Sequence, residues 1–323
     1  MALHLQENVK LPTMTHAKNI NARRLKGTSV PGASLFLQVL VLAMPLSTIL
    51  CSPAARAWGA MGHEIAAQLA DPYLTAHTRQ QVEALLGKDT LKTASTWADR
   101  MRSDPAPFWQ EEAGPYHYVT IPRGRQYADV GPPPQGDAAS ALTQFARDLR
   151  SPSVSLERKQ LALRFAIHII QDLQQPLHVG NGLDRGGNDV PVRIFGETSN
   201  LHSVWDRQMF ESTARTQAQW LDYFKASELL RRPTQNDADP QVWIAESAKL
   251  RETLYPVPAS IDTRYIRREL PRAEARLALA GIRTAAWLNA IYDDNATPGE
   301  DRPLEPAPEV AEKVRWWQRI FKN

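Results

Sequence analysis

His168 and Asp172 stand four residues apart in a segment with helical periodicity, where Leu161, Phe165, His168 and Asp172 share one stripe. A carboxylate on a buried stripe is costly unless a cation meets it. The nearby basic residues Arg158, Lys159 and Arg164 fall off that stripe, so a metal ion is the fitting partner. The same His-x-x-x-Asp pairing returns at His202 and Asp206. At this spacing both side chains leave one helix face with Cβ atoms about 5–6 Å apart, close enough to converge on a cation. A fold for this chain therefore has to gather imidazoles and carboxylates around metal.

The remaining pattern says what surrounds that centre. Apolar residues recur at helical spacing over 63–70, 76–86, 91–101, 139–149, 156–173, 201–210, 217–230, 241–254 and 270–291, and only 116–121 and 190–195 look extended. Gly and Pro clusters at 131–136 and 183–188 mark loops. These spacings predict a single compact all-α domain over 58–295, of several helices and at most a small β-hairpin.

The ends of the chain read differently. Basic residues at 23–26, an apolar run from Leu35 towards Leu50 and the A-x-A triplet Ala55-Arg56-Ala57 make residues 1–57 a leader with a secretory signal, cleaved before Trp58. Gln38 and Pro45 interrupt the run, which argues against a membrane anchor. The body is then exported, periplasmic or secreted. Six basic residues and Glu7 leave with the leader, so 32 Lys+Arg face 34 Asp+Glu and the body is formally −2. Such a charge argues for no stable partner. Cys51, the sole cysteine, also lies in the leader, so packing or metal rather than a disulfide must hold the exported body. Residues 296–323 form a Pro-rich linker and a short tail with Trp316, Trp317 and Phe321 among Lys and Arg. That tail folds back onto the body, or else makes a membrane contact or meets a partner.

Further ligand types occur in short contexts. Pro176 ends the helix that carries Asp172 and turns the chain at His178. Asp99 and Arg102 share a face at i, i+3, joining a hard oxygen ligand to a guanidinium suited to phosphate. His63 and His117 complete a set of five imidazoles and three carboxylates without a thiolate. Such donors favour zinc among common metals, while manganese and iron stay open. Eight ligands exceed one tetrahedral ion, and two or three ions suit phosphoester hydrolysis.

These residues in this order, Trp58-Gly-Ala-Met-Gly-His63, Trp97-Ala-Asp99 with Arg102, Tyr116-His117-Tyr118, His168-x3-Asp172-x5-His178, Asp184-Arg-Gly-Gly-Asn188 and Asn200-Leu-His202-x3-Asp206, resemble the secreted single-strand-specific zinc nucleases, the nuclease S-one/P-one family. The resemblance covers Trp58 to about Tyr292. It implies an all-α fold of the phospholipase C and single-strand nuclease type, three zinc ions, and cleavage of single-stranded DNA and RNA to products with 5′-phosphates. It also implies 3′-nucleotides as substrates. By that likeness Asp99, His117, His168 and Asp172 hold one ion. Trp58, through its freed amino terminus and carbonyl, holds a second with His63 and a bridging Asp172, while His178, His202 and Asp206 hold the third. A hydroxide between the ions sharing Asp172 would attack phosphorus in line, Arg102 would neutralise transition-state charge, and Tyr118 would stack a base. On its residues alone Tyr118 reads equally as a core tyrosine of an extended segment. Thr120 stands where fungal and plant members tend to carry aspartate, which unsettles their base preference here. The alternative likeness is to zinc-dependent phospholipase C, whose pattern has a longer gap from Trp to the first His and closes with His-x-x-x-Glu. Here the last carboxylate is Asp206.

Overall fold

A computed structural model describes residues 58–293. The segments read from sequence as a leader, 1–57, and as a linker and tail, 296–323, lie outside the described residues. Longer helices are α1 (Ala60–Ala70), α2 (Ala76–Leu86), α6 (Ala138–Arg150), α7 (Leu156–Asp172), α10 (Gln217–Ala226), α11 (Pro240–Arg251) and α12 (Thr263–Tyr292). Short ones are α3 (Leu91–Ser95), α4 (Trp97–Met101), α5 (Tyr127–Val130), α8 (Leu201–Ser203) and α9 (Met209–Glu211). Thr75, Asp137, Ser155 and Asp262 start α2, α6, α7 and α12, each accepting a hydrogen bond from a first-turn N–H through its side chain.

α7 is the central helix because its second half is apolar nearly all round: Leu163 and every residue from Phe165 to Asp172 are buried. α2, α3, α6 and α12 pack around it. Its arginines have carboxylate partners of their own, the buried Arg158 pairing with Asp148 at 2.6 Å and Arg164 with Asp89 at 2.9 Å. α1 crosses α12 at Gly281, where an added Cβ would lie 2.7 Å from Leu69 Cβ and 2.9 Å from the Ala66 carbonyl. Only glycine permits that approach. Two apolar cores result. One gathers Phe145, Phe165 and Trp243, the other Trp58, Trp205, Trp220 and Phe224, and α1 and α12 contribute to both. The candidate ligands lie at the seam, His168 between Ile167 and Ile169 of the first core and His202 between Leu201 and Val204 of the second.

The expected hairpin is present as β3 (Pro191–Ile194) against β4 (Glu197–Asn200), with Val192 opposite Ser199. A third strand, β5 (Ser260–Ile261), joins β3 in parallel. In the other extended segment only β1 (Val119–Thr120) is a strand, parallel to β2 (Val179–Gly180), and Gly114–His117 coils into a 3₁₀ turn. Other departures concern helix continuity. The stretch 91–101 divides at Thr96, 201–210 contains a π turn at Val204–Gln208, α10 stops at Ala226, and α12 begins at Thr263 and runs through Pro271. Among the described residues, no helix is long and apolar enough to cross a membrane.

Candidate metal centre

The break at Thr96 and the π turn at Val204–Gln208 both adjoin the histidines. Ending α3 at Ser95 leaves the Ser95 carbonyl outside the helical ladder, where it accepts the Nδ1–H of His168 at 2.7 Å. Resuming as α4 then turns Asp99 towards His168 Nε2, 3.8 Å away. β1 and β2 run together in register, Val119 opposite Val179, so the residues before them meet: His178 Nδ1–H donates to the His117 carbonyl at 2.7 Å. The π turn at Val204–Gln208 carries Asp206 back beneath His202.

The ligand-type atoms then fall into three groups, each within 4.8 Å: His63 with His168 and Asp172, Asp99 with His117 and His168, and His178 with His202 and Asp206. Asp172 links the first two. Its Oδ1 lies 3.2 Å from His63 Nε2, and its Oδ2 lies 3.0 Å from His117 Nδ1 and 3.1 Å from His168 Nε2. In the third group Asp206 Oδ2 is 3.2 Å from His202 Nε2. Tetrahedral zinc with bonds of about 2.0–2.1 Å separates its ligands by roughly 3.3 Å, which these spacings match closely.

Hydrogen bonding argues for a cation more strongly than distance does. A carbonyl only accepts, so His168, His178 and His202 carry their proton on Nδ1, donating to Ser95, His117 and Gly186 at 2.7 Å each. His63 Nδ1 likewise meets Gln171 Oε1 at 2.7 Å. All four therefore aim a bare Nε2 at the carboxylates. Buried His63 Nε2, Asp172 Oδ1, His178 Nε2 and Asp206 Oδ2 have no hydrogen-bond partner. Acceptors facing acceptors in a dry interior are repulsive unless positive charge sits between them.

The proton affinities agree. Burial alone would raise the Asp172 pKa, yet the nearness of His168 and His178, and then of His117, holds it well below the usual carboxylate range. Burial would lower His168, and Asp172 and Asp99 overcome it and raise it. The field that holds a proton there would also hold a metal cation. His117 goes the other way, brought down to about 4 mainly by burial and against the pull of Asp172, so its lone pair is free at neutral pH.

The eight side chains singled out by sequence thus converge. What sequence reasoning left without a role is the layer that aims them. Gln171, in the last turn of the central helix, and Gln175, just beyond it, are both fully buried, and Gln175 Nε2 donates to Asp206 Oδ1 at 2.6 Å. Buried polar residues beside Asp172 were a readable signal. The Asp184–Asn188 loop acts through Gly186, whose φ is +63° and whose Cβ, if present, would lie 2.3 Å from the Leu177 carbonyl. Asp184 ties the loop by accepting from Gly187 N at 2.9 Å and Tyr255 OH at 2.6 Å. Gly186→Ala should therefore displace the carbonyl that orients His202 and the residue before His178. We expect a stability loss of about 1–3 kcal/mol in urea unfolding, together with weakened metal retention. An unchanged midpoint and metal content would refute this role.

Arg102 Nε lies 2.9 Å from Asp99 Oδ1 with its side chain 32% exposed, so it borders both the centre and solvent. Tyr118 is 45% exposed, which removes the core-tyrosine reading. Val119 is buried and Thr120 exposed, so Tyr118 and Thr120 share the open face of their strand. Trp58 is fully buried, its indole N–H donating to the Gln171 carbonyl at 2.9 Å, and the next residue, Gly59, donates its N–H to the Asp206 carbonyl at 2.8 Å. The start of the described chain is thereby tied to two ligand-bearing segments.

Comparison with known proteins agrees with this arrangement. The family model S1/P1 Nuclease matches residues 58–293. Endonuclease 4 of Arabidopsis thaliana is 30% identical over 298 residues, covering 80% of this chain and 94% of the relative. Nuclease S1 of Aspergillus oryzae is 29% identical, covering 78% and 97%, and Nuclease P1 of Penicillium citrinum is 25% identical, covering 73% and 98%. The chain belongs to the S1/P1 nuclease family and is a hydrolytic nuclease.

Proposed function

We propose that this protein is an exported trinuclear-zinc phosphodiesterase that cleaves single-stranded DNA and RNA to products with 5′-phosphates and also removes 3′-phosphates from mononucleotides. The observation that carries the reading is the set of buried, unpartnered acceptors in three adjoining groups. Asp99, His117, His168 and Asp172 Oδ2 would hold one ion, His63 and Asp172 Oδ1 with the Trp58 main chain a second, and His178, His202 and Asp206 a third. Bound zinc supplies Lewis acidity that activates water and offsets charge on the phosphate.

The chain's own groups do the rest. Arg102 offers a planar fork of donors to phosphate oxygens while Asp99 steadies it. Tyr118 offers an exposed ring on which a base stacks, an interaction worth about 1–3 kcal/mol and open to any base. The ligands themselves are nearly inaccessible, so a phosphate must enter deeply while its neighbouring base splays onto the wall. A single strand does this readily and a duplex must first unstack. The −2 body has no general phosphate attraction, which leaves the centre to provide it. Export and cleavage before Trp58 would free the amino terminus for its ion.

Arg102→Ala should leave metal content intact and lower kcat about 10²-fold. An emptied site would instead make Arg102 a structural partner of Asp99. The reading as a whole is tested by a panel of single-stranded DNA, RNA, 3′-AMP and lecithin given to metal-loaded mature protein. Turnover of the first three is expected. Hydrolysis of lecithin alone would favour the phospholipase reading.

A further inference from the structure

A cavity of about 840 Å³ opens beside Asp99 and Asp206, and neither Tyr118 nor Thr120 is among its walls. Arg100, Arg102 and Arg207 border it. Three guanidiniums meet three carboxylates at this opening: Asp99 and Asp206 are candidate metal ligands, and Glu211 pairs with Arg207. Arg100 is aimed by its hydrogen bonds to Thr96 Oγ1 and to the Thr93 carbonyl, the latter at 3.1 Å. Arg207 follows Asp206 directly and reaches Glu211 Oε2 at 2.8 Å, with both side chains about half exposed. The facing wall is apolar, built from Met61, Ile65, Phe210 and Leu277. A volume in the range of about 300–1,000 Å³ suits a small ligand the size of a nucleotide.

We propose that this cavity is a subsite for a nucleotide flanking the scissile phosphate on the side that Tyr118 does not serve. The inference rests on the nuclease reading above. Arg207 grips the flanking phosphate, Arg100 supports it, and the Met61 and Phe210 wall receives sugar and base. Glu211 holds Arg207 in a solvent-exposed ion pair of the kind worth about 0–1 kcal/mol, so a phosphate that offers a bidentate contact displaces it. The site thereby favours a polymer over a substrate whose only phosphate is the one being cleaved.

The test uses metal-loaded mature protein, a single-stranded ten-nucleotide oligomer and a dinucleoside monophosphate, which has no phosphate besides the scissile one. Arg207→Ala should raise the oligomer KM about tenfold with kcat within twofold, and change the dinucleoside KM less than twofold. The slope of log kcat/KM against log salt for the oligomer should fall by about one unit. Glu211→Gln should shift the oligomer KM the other way, two- to threefold lower. Equal effects on both substrates, an unchanged salt slope, or loss of zinc from Arg207→Ala would overturn the subsite. If the unaltered protein cleaves no nucleic acid, the nuclease reading itself fails, whereas normal cleavage with indifferent variants removes the subsite alone.

Discussion

Asp172→Asn is expected to lower turnover by about 10³-fold or more, and Asp206→Asn markedly less. The difference follows from what each oxygen does. Asp172 is fully buried and divides its two oxygens between groups, Oδ1 with His63 and Oδ2 with His117 and His168. An amide keeps one acceptor and turns the other into a donor. Whichever way it settles, one group loses its carboxylate oxygen, and an NH₂ turned to His63 would satisfy that bare Nε2 where a cation is needed. Asp206 serves one group, and its Oδ1 is already occupied by Gln175 Nε2. The amide can keep Oδ1 as carbonyl oxygen there. Steady-state kinetics on single-stranded DNA, with metal content measured for each variant, checks the order. Equal losses would mean that Asp172 does not bridge.

Chelation should abolish hydrolysis and also loosen the fold. The ligand-type residues come from α1, α4, the turns before β1 and β2, α7, α8 and the π turn, so ions held there would clamp segments far apart in the chain. Residues 58–293 contain no cysteine that could do this with a disulfide. One ion at a hundred times its Kd contributes about 2.7 kcal/mol to stability. In a domain of this size that corresponds to a Tm shift of about 5–10 °C per site. Calorimetry before and after chelation, with zinc restored afterwards, measures it. A Tm unchanged on metal removal would show that the fold is already complete without the clamp.

Much of this centre was legible in the chain because its logic is local. The i, i+4 spacing of His168 with Asp172 projects onto one helix face whatever the surroundings, and that of His202 with Asp206 still brings the pair to 3.2 Å across a π turn. What escaped reading depends on distant partners. Thr96 is an ordinary helix residue by composition, and the helix ends there where the Ser95 carbonyl meets His168, 73 positions away. The π turn around Asp206 keeps the apolar periodicity of a plain helix and so left no trace in it. β5 is two residues long, too short for any alternation to show, and forms only because β3 offers it an edge. Gly186 was visible as part of a loop, but its need to be glycine lies in the nearness of the Leu177 carbonyl.

The central claim is that three adjoining groups of buried imidazoles and carboxylates each hold an ion. Elemental analysis of active mature protein, freed of loosely bound metal, tests it most directly. The account predicts about three zinc ions per chain, falling together with activity on chelation and returning with it. One ion or fewer per chain in fully active protein would contradict it.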